Sequence, residues 1–304
     1  MVVETYPVGE LFDVWILFLA SDVFARFHVV DTTDGSNEPM FVSTRDWERR
    51  ACLSPKSEGV YIVIPTLNEA ANIVPLLKRI AKELKRPYRI CIVDDGSKDG
   101  TLDQVRSFVQ SVATQDIHVI ERRKMHAGSQ RGAAVMAGLQ FALRHSDFET
   151  FVEMDADLSH RPEELETGIE AIQSRGFSVA IASKYVHGSM VVNRPLRRRS
   201  LSALYNWLNR TLISPGVRDW SNGYRFYDRA AAEIICKLKY GSPVWLVEVL
   251  ATLLARGMRI TEFPSIYVGR GEGLSKMRWV DIGKAAIALL DISVKYHLGF
   301  LSGE

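Results

Sequence analysis

Short apolar runs alternate with longer amphipathic segments from Gly59 to about residue 154. An apolar run bounded by turn residues is typical of a buried strand, and apolar residues spaced three and four apart are typical of a helix. The predicted strands are 60–64, 89–93, 117–120 and 151–154, and the predicted helices are 68–84, a segment that begins near 100, and 130–143. This alternation indicates an α/β fold with a mostly parallel sheet and right-handed crossovers.

The two ends of the chain do not follow this alternation. Residues 1–58 contain clusters of Pro, Gly, Asn and Asp, and we interpret them as an appended segment of unknown role before a domain at 59–276. In the C-terminal segment 277–304, the stretch 279–298 places Asp281, Lys284, Asp291 and Lys295 on one helical face. Such an amphipathic helix either packs on its own domain or lies in a membrane interface, and its charges exclude a membrane span.

Composition narrows the class of protein. The 304 residues include 38 Lys plus Arg and 36 Asp plus Glu, 47% hydrophobic and 24% charged residues, which excludes a disordered, collagenous or multi-span chain. The near-zero net charge gives no argument for binding nucleic acid, so we expect no nucleic-acid partner. Cys52, Cys91 and Cys236 form no CxxC pair, so we expect buried thiols in a reducing compartment.

Three predicted strands end in polar clusters, PTLNE, DDGS and DADLS. Ligands of open α/β sheets bind outside the carboxyl ends of the strands, so we expect these three loops to share one site. Asp155 and Asp157, two residues apart in an extended segment, can point at a common ligand. Two carboxylates suit Mg²⁺ completed by substrate phosphates, although a solvated acidic loop is the alternative.

In the second cluster, Gly96, Ser97 and Asp99 are explained by a turn and a helix cap. The consecutive acids Asp94 and Asp95 are not, because a carboxylate at a strand end needs a donor to offset its desolvation. The N–H of a nucleotide base or a ribose hydroxyl would be such a donor. In the first cluster Asn68 is either an N-cap or a site residue, and Glu69 is expected near the same edge.

Taken in order, IPTLNEAANI, VDDGSKDGT and EMDADLSHRPEEL resemble the inverting glycosyltransferases of family 2, and within them the dolichol-phosphate (polyprenyl-phosphate) mannose synthases. SKYVHGS, RPLRRRSLS, VRDWSNGYR and RGEGLSKM extend the resemblance to about residues 59–278. It implies a GT-A fold, which is a Rossmann-like sheet flanked by helices. A dinucleotide-dependent oxidoreductase is excluded because no GxGxxG follows the first strand.

The resemblance also implies roles for individual residues. Those that would bind the donor are Pro65, Leu67, Glu69, Val93, Asp95, Asp155, Ala156, Asp157, Lys184, Arg270 and Lys276. Asp155, Asp157 and Ser159 would hold Mg²⁺ or Mn²⁺, and the residues expected to act on the reaction are Asp155, Asp157, Arg270 and Lys276. Departures from the family pattern stand at Leu67, Lys184, Asn222, Tyr224 and Leu274.

Four arginines lie within the six residues from 194 to 199. They form either a solvated basic face or a binding site for an anionic head group, since arginine pairs well with phosphate. With the resemblance we favour an acceptor site, made of Arg194, Arg197, Arg199 and Ser200, with Asn206 assisting. His126, His145 and His160 receive no role because no metal-ligand spacing links them.

The expected activity is transfer of mannose from GDP-mannose to a polyprenyl phosphate with inversion. An ionised acceptor phosphate needs no strong general base, and Asp219 is the candidate base for a hydroxyl acceptor instead. The alternatives are a family member that uses a UDP-sugar or a hydroxyl acceptor, and an inactive sugar-nucleotide-binding protein. We expect the enzyme in the cytoplasm, at the cytoplasmic face of a membrane, bound peripherally or through a partner subunit.

Overall fold

A computed structural model describes residues 29–31, 58–111, 116–122, 131–238, 244–269 and 279–302. The strands are β1 Val29–Asp31, β2 Val60–Thr66, β3 Tyr88–Asp94, β4 Asp116–Glu121, β5 Thr150–Glu153, β6 Val179–Ser183, β7 Met190–Val192, β8 Arg225–Asp228, β9 Ile260–Pro264 and β10 Ile266–Val268. The helices are α1 Ile73–Glu83, α2 Thr101–Ser111, α3 Arg131–His145, α4 Leu165–Gln173, α5 Leu196–Leu212, α6 Arg229–Ile235, α7 Trp245–Ala255 and α8 Trp279–His297, with a 3₁₀ turn at Pro162–Glu164.

Within the described residues, the main sheet has eight strands in the order β1-β4-β3-β2-β5-β8-β6-β9. All neighbours are parallel except β8, which runs antiparallel to both β5 and β6. The predicted mostly parallel sheet flanked by helices is therefore confirmed. Val29–Asp31, which lies within the appended segment 1–58 of unknown role, pairs with β4 as an edge strand.

Helices cover both faces of the sheet because the strand residues alternate between two cores. Tyr61 and Val63 of β2 face the core covered by α3, α6 and α7. Ile62 and Ile64 face the core covered by α1, α2 and α4. A strand apolar on both faces is the pattern of a buried parallel sheet, which explains the continuous apolar runs in the sequence.

Helix α3 packs against the sheet with a glycine at the point of contact. A Cβ atom added at Gly138 would come 2.3 Å from Val63 Cγ1 and 3.1 Å from Val93 Cγ2. The small residues on this helix therefore allow its backbone to approach β2 and β3 directly. This approach brings the N-terminal residue of α3, Arg131, to the carboxyl ends of the central strands.

The periodicity predicted that helix α1 begins at Asn68, but the helix begins at Ile73. Asn68 has a φ of 57° and lies in the loop before the helix, so it is not the helix N-cap. The backbone of residues 68–70 instead bonds to the neighbouring loop, which removes it from the helix.

The second sheet is a two-stranded parallel ribbon of β7 and β10. It lies beyond the carboxyl ends of β6 and β9, with the backbone of Ser265 donating to the carbonyl of Ser183 at 3.1 Å. The ribbon therefore extends the sheet edge beside the three predicted loops and carries Tyr267 toward them.

Helices α5 and α8 meet at their C-terminal ends. Ser293 Oγ of α8 donates to the carbonyl of Leu212 at 2.6 Å, while Leu289 and Ile292 are buried. Lys284, Asp291 and Lys295 are exposed, and the side chains of residues 279–282 lie outside the described part. No helix in the described ranges is long and apolar enough to cross a membrane.

The thiols within the described residues match the expectation in part. Cys91 is buried, and its burial raises the pKa of its thiol. Cys236 is half-buried, and Cys52 lies outside the described residues.

Candidate active site

The loop after β3 is built around the carboxylate of Asp94. Its Oδ1 atom accepts from the backbone of Gly96 at 2.9 Å and of Ser97 at 2.8 Å, and Oδ2 accepts from Ser97 Oγ at 2.5 Å. Asp94 is fully buried. The first of the two consecutive acids therefore shapes a turn, which needs no ligand to offset its desolvation.

The loop after β2 is bonded along its backbone to this turn. The N–H groups of Asn68, Glu69 and Ala70 donate to Ser97 Oγ at 2.8 Å, Thr101 Oγ1 at 2.9 Å and Asp99 Oδ2 at 3.0 Å. In return Asn68 Oδ1 accepts from the backbone of Lys98 at 2.9 Å. Two of the three polar loops thus form one rigid wall. Within it, Asn72 Nδ2 donates to Glu69 Oε2 at 2.7 Å and orients that side chain.

The second acid, Asp95, pairs with a cation that the sequence did not single out. Arg122, just after β4, donates from Nη1 to Asp95 Oδ1 at 2.8 Å, and the Asp95 side chain is only 7% exposed. Pro65 and Leu67 are half-buried near the same strand ends. Val93 is fully buried against α3, so its side chain supports this wall from behind.

The third loop presents the carboxylates of Asp155 and Asp157. Asp157 Oδ1 accepts from the backbone of Ser159 at 3.0 Å and from its hydroxyl at 2.6 Å. Leu158 adopts a φ of 62°, a left-handed conformation that leucine rarely takes, and Ala156 is buried between the two acids. The extended segment expected at these acids is wrong, because β5 ends at Glu153 and residues 156–157 lie in a turn that continues into the strained Leu158.

Asp155 is bound by Arg131, the first residue of α3. Arg131 Nε and Nη2 lie 2.9 Å and 2.8 Å from Asp155 Oδ1, and Nη1 donates to Glu153, whose side chain is 1% exposed. Burial alone would lower the pKa of Arg131, but the charges of Asp155 and Glu153 raise it. No motif around Arg131 indicated this role, because Glu153 and Asp155 reach it only through the packing of α3.

His160, which received no role from the sequence, orients the same loop. Its Nδ1 atom accepts from the backbone N–H of Asp155 at 2.9 Å, and Nε2 lies 3.1 Å from Asn222 Oδ1. The ring stacks on Tyr224 with centroids 5.0 Å apart. Burial lowers the pKa of His160, so the neutral ring with its proton on Nε2 satisfies both contacts. Two of the departures from the family pattern, Asn222 and Tyr224, therefore support this histidine.

Lys184 and Asp219 form a buried ion pair. Lys184 Nζ lies 3.0 Å from Asp219 Oδ2, and their side chains are 3% and 0% exposed. Asp219 also accepts from the backbone of Lys184, Ser221 and Asn222. Burial alone would raise the pKa of Asp219, but Lys184 and these hydrogen bonds lower it. A saturated carboxylate with a lowered pKa is poorly suited to act as a general base.

Tyr267 of β10 joins the carboxylates to the first arginine of the basic cluster. Lys184 Nζ and Arg194 Cζ lie 5.3 Å and 5.4 Å from its ring centroid. It lies near the Asp157–Ser159 loop, and its pKa is raised by burial first and by the charge of Asp157 next. Tyr267 was missed because nothing in its local sequence marks it.

The remaining predicted acceptor residues lie at the start of α5. Arg197, Arg199 and Ser200 are exposed, and Arg194 is half-buried. Ser200 Oγ donates to the carbonyl of Leu196 at 3.2 Å. Arg270 and Lys276, together with Leu274 and His126, lie outside the described residues, and His145 lies at the far end of α3 from Arg131.

The oxygen ligands are suited to a divalent cation that arrives with a phosphate. In the part of the chain that the structure describes, no group of three His, Cys, Asp or Glu side chains could hold an ion. Asp155, Asp157 and the hydroxyl of Ser159 nevertheless supply hard oxygen atoms. Mg²⁺ is commonly held by one or two carboxylates plus substrate phosphates, so these residues fit an ion bound together with a diphosphate.

A mostly parallel sheet with rigid polar loops at its carboxyl ends and a carboxylate pair on the third loop defines the GT-A class of glycosyltransferase. Residues 61–235 match the family Glycosyl transferase family 2. The chain belongs to this family and is a glycosyltransferase.

Two relatives and one solved structure narrow the comparison. The chain is 34% identical to a polyprenol monophosphomannose synthase of Mycolicibacterium smegmatis over 80% of this chain and 89% of the relative. It is 30% identical to an undecaprenyl-phosphate mannosyltransferase of Micrococcus luteus over 75% of this chain and 91% of the relative. The fold matches glucosyl-3-phosphoglycerate synthase from Mycobacterium tuberculosis in complex with Mn²⁺, UDP-glucose and phosphoglyceric acid, with a TM-score of 0.56 and 17% identity over 78% of this chain and 80% of that chain.

Proposed function

We propose that the protein transfers mannose from GDP-mannose to a polyprenyl phosphate and forms polyprenyl β-phosphomannose with inversion at the anomeric carbon. The observation that carries this proposal is the position of Tyr267, which contacts Arg194 and Lys184 and lies close enough to the Asp157–Ser159 loop for the charge of Asp157 to act on it. It joins the carboxylates expected to hold the donor to the arginines expected to hold an anionic acceptor. The names of the two mannosyltransferase relatives agree with such an acceptor.

On the donor side, the wall formed by Pro65, Leu67, Glu69 and Asp95 binds the nucleoside, with Val93 behind it. Its preformed hydrogen bonds reduce the entropy lost on binding. Asp155, Asp157 and Ser159 would hold Mg²⁺ or Mn²⁺, which would supply positive charge to the leaving diphosphate. Arg270 and Lys276 bind the same diphosphate, and Lys184 stabilises the loop at Asp219.

On the acceptor side, Arg194, Arg197 and Arg199 bind the phosphate, with Ser200 at the same helical turn. Arginine offers a planar set of donors that suits phosphate oxygens. The acceptor phosphate is ionised near pH 7, so it attacks without a base. The saturated state of Asp219 favours this acceptor over a hydroxyl, which would need a proton acceptor.

The polyprenyl chain requires a membrane, and we propose that the enzyme binds the cytoplasmic face peripherally. In the described ranges, the exposed large apolar side chains all lie on β7, β10, α5, α8 or the turn after α8. On α5 they are Leu196, Leu201, Leu204 and Trp207, beside the arginines. Apolar side chains next to basic ones suit an anionic bilayer surface.

The test is transfer of radiolabelled sugar into organic-extractable lipid by the purified protein. It uses a short polyprenyl phosphate, Mn²⁺ or Mg²⁺, and GDP-mannose or UDP-glucose in parallel reactions. We expect label in lipid only from GDP-mannose. Label only from UDP-glucose would keep the acceptor and discard mannose. Nucleotide binding without transfer to lipid would favour a hydroxyl acceptor first and an inactive binding protein second.

A further inference from the structure

We propose that Arg131 is a positioning residue that competes with the divalent cation for Asp155, so that the cation binds tightly only together with the donor diphosphate. This inference rests on the proposed metal-dependent use of a nucleotide-sugar. It concerns a residue outside every motif in the sequence.

The first support is the geometry of the guanidinium group. Two of its nitrogen atoms lie within 2.9 Å of Asp155 Oδ1, and a third donates to Glu153. Its Nη2 atom also lies 3.3 Å from the carbonyl of Gly223. A Cβ atom at Gly223 would come 2.1 Å from this nitrogen, so the chain leaves room for the guanidinium here.

The second support is burial. Glu153 is 1% exposed and also accepts from Tyr227 Oη at 2.8 Å, so it anchors one side of Arg131 away from solvent. Asp155, which is 26% exposed, lies on the open side. A buried carboxylate on one side and an accessible one on the other hold the arginine at the position where a cation ligated by Asp155 is expected.

The third support is the balance of charge. Arg131 offsets part of the negative charge of Glu153 and Asp155, so a divalent cation that approaches Asp155 is repelled by the guanidinium. A donor diphosphate adds negative charge and phosphate ligands, which outweigh this repulsion. Because such coupling is reciprocal, the cation must strengthen nucleotide binding by the same factor.

The test measures Mn²⁺ affinity by electron paramagnetic resonance of unbound Mn²⁺, with and without GDP, and with UDP in parallel. For the wild-type protein we expect the better-binding nucleotide to tighten Mn²⁺ binding at least about tenfold, within the usual range of coupling between sites. Equal Mn²⁺ affinity with and without either nucleotide would overturn the inference without any variant.

The informative variant is Arg131→Gln combined with Glu153→Gln. It removes the positive charge of Arg131 together with the negative charge of Glu153. It keeps a hydrogen-bond acceptor for Tyr227 Oη and leaves no unpaired buried charge. We expect it to bind Mn²⁺ without nucleotide roughly tenfold more tightly, with correspondingly weaker coupling to nucleotide. Unchanged or weaker Mn²⁺ binding would reduce Arg131 to a scaffold for Asp155 and overturn the inference.

Two single variants serve as controls. Glu153→Gln leaves Arg131 less neutralised, so we expect Mn²⁺ binding without nucleotide to weaken or stay unchanged. Arg131→Lys keeps the charge and should preserve the wild-type coupling, whereas Mn²⁺ binding as tight as in the double variant would contradict the charge argument. These are binding measurements, so coupling without transfer to lipid would remove the proposed acceptor and leave the role of Arg131 intact.

Discussion

Asp157 is oriented by its own loop before any substrate binds. The backbone and hydroxyl of Ser159 both donate to Asp157 Oδ1. Such preorganisation matters because a charged group that is already in place needs no rearrangement as charge develops on the substrate.

We therefore expect Asp157→Ala to reduce mannosyl transfer to background, since it removes a proposed cation ligand. The measurement is the lipid-transfer assay, with circular dichroism and thermal melting to establish that the variant is folded. Asp103→Ala, which changes an acid that is 81% exposed on α2, is the control and should keep full activity. A folded Asp157→Ala enzyme with full activity would remove the metal assignment.

The buried pair of Lys184 and Asp219 predicts a dependence of stability on pH. The pKa of Asp219 is lower in the folded protein than the usual value of about 3.9. Its ionised form therefore stabilises the fold above that value, and this stabilisation is lost as the pH falls through the unfolded and then the folded pKa.

We expect Asp219→Asn to lower the free energy of unfolding at pH 7 by about 3–5 kcal/mol, because it leaves Lys184 buried without its partner. Its unfolding free energy should also depend less on pH below about 5 than that of the wild type. Urea denaturation between pH 3 and pH 7 measures both effects. The exposed Asp103→Asn variant should change stability by less than about 1 kcal/mol, and an equal effect at both sites would contradict this account.

At the scale of elements, the position of α3 decides how the site is assembled. Gly138 lets the helix pack directly on β2 and β3, and the N-terminal Arg131 then reaches Asp155. The small-residue character of this helix is thus a requirement of packing and also determines a contact in the site.

We expect Gly138→Ala to destabilise the protein by about 1–3 kcal/mol, because its Cβ atom would lie 2.3 Å from Val63 Cγ1 and the core is already filled. Gly283→Ala on α8 is the matched control. A Cβ atom there meets nothing within 4 Å among the residues that the structure describes, so the better helix propensity of alanine should stabilise the protein by about 0.5–1 kcal/mol. Urea denaturation separates the two, and stabilisation at both positions would show that α3 can move away from the sheet without loss.

At the scale of the whole molecule, exposed apolar side chains concentrate on one set of elements. Helices α5 and α8 meet at Leu212 and both contribute to the same core. Among their exposed apolar residues, Leu204, Trp207, Leu290 and Val294 are 52–58% exposed. The opposite face of the sheet is covered by α1, α2 and α4.

We expect Leu204→Ser combined with Trp207→Ser to weaken binding to anionic vesicles at least about tenfold, since two large side chains would no longer be buried in lipid. Vesicle flotation with phosphatidylglycerol measures this, and phosphatidylcholine vesicles reveal the contribution of the arginines. Lys78→Ser on α1 is the control and should bind like the wild type. Unchanged flotation of the double variant would contradict a membrane role for α5.

The sequence alone predicted the alternating strands and helices and the three loops that carry polar motifs. These features are local, because an apolar run that is buried on both faces determines a strand, and the residues after it determine the loop at its end. The family resemblance rests on the same contiguous motifs. Asp155 and Asp157 could therefore be found as candidates without any knowledge of packing.

Only the tertiary structure decided which side chains meet those candidates. Arg131 lies 24 residues before Asp155, and Lys184 lies 35 residues before Asp219. Tyr267 meets Arg194 only because β10 pairs with β7 beside the main sheet. Burial converts each of these contacts into a strong electrostatic interaction, and burial depends on how α3, β8 and the β7–β10 ribbon pack. The order of residues along the chain contains no direct sign of that packing, so these partners could not be named from it.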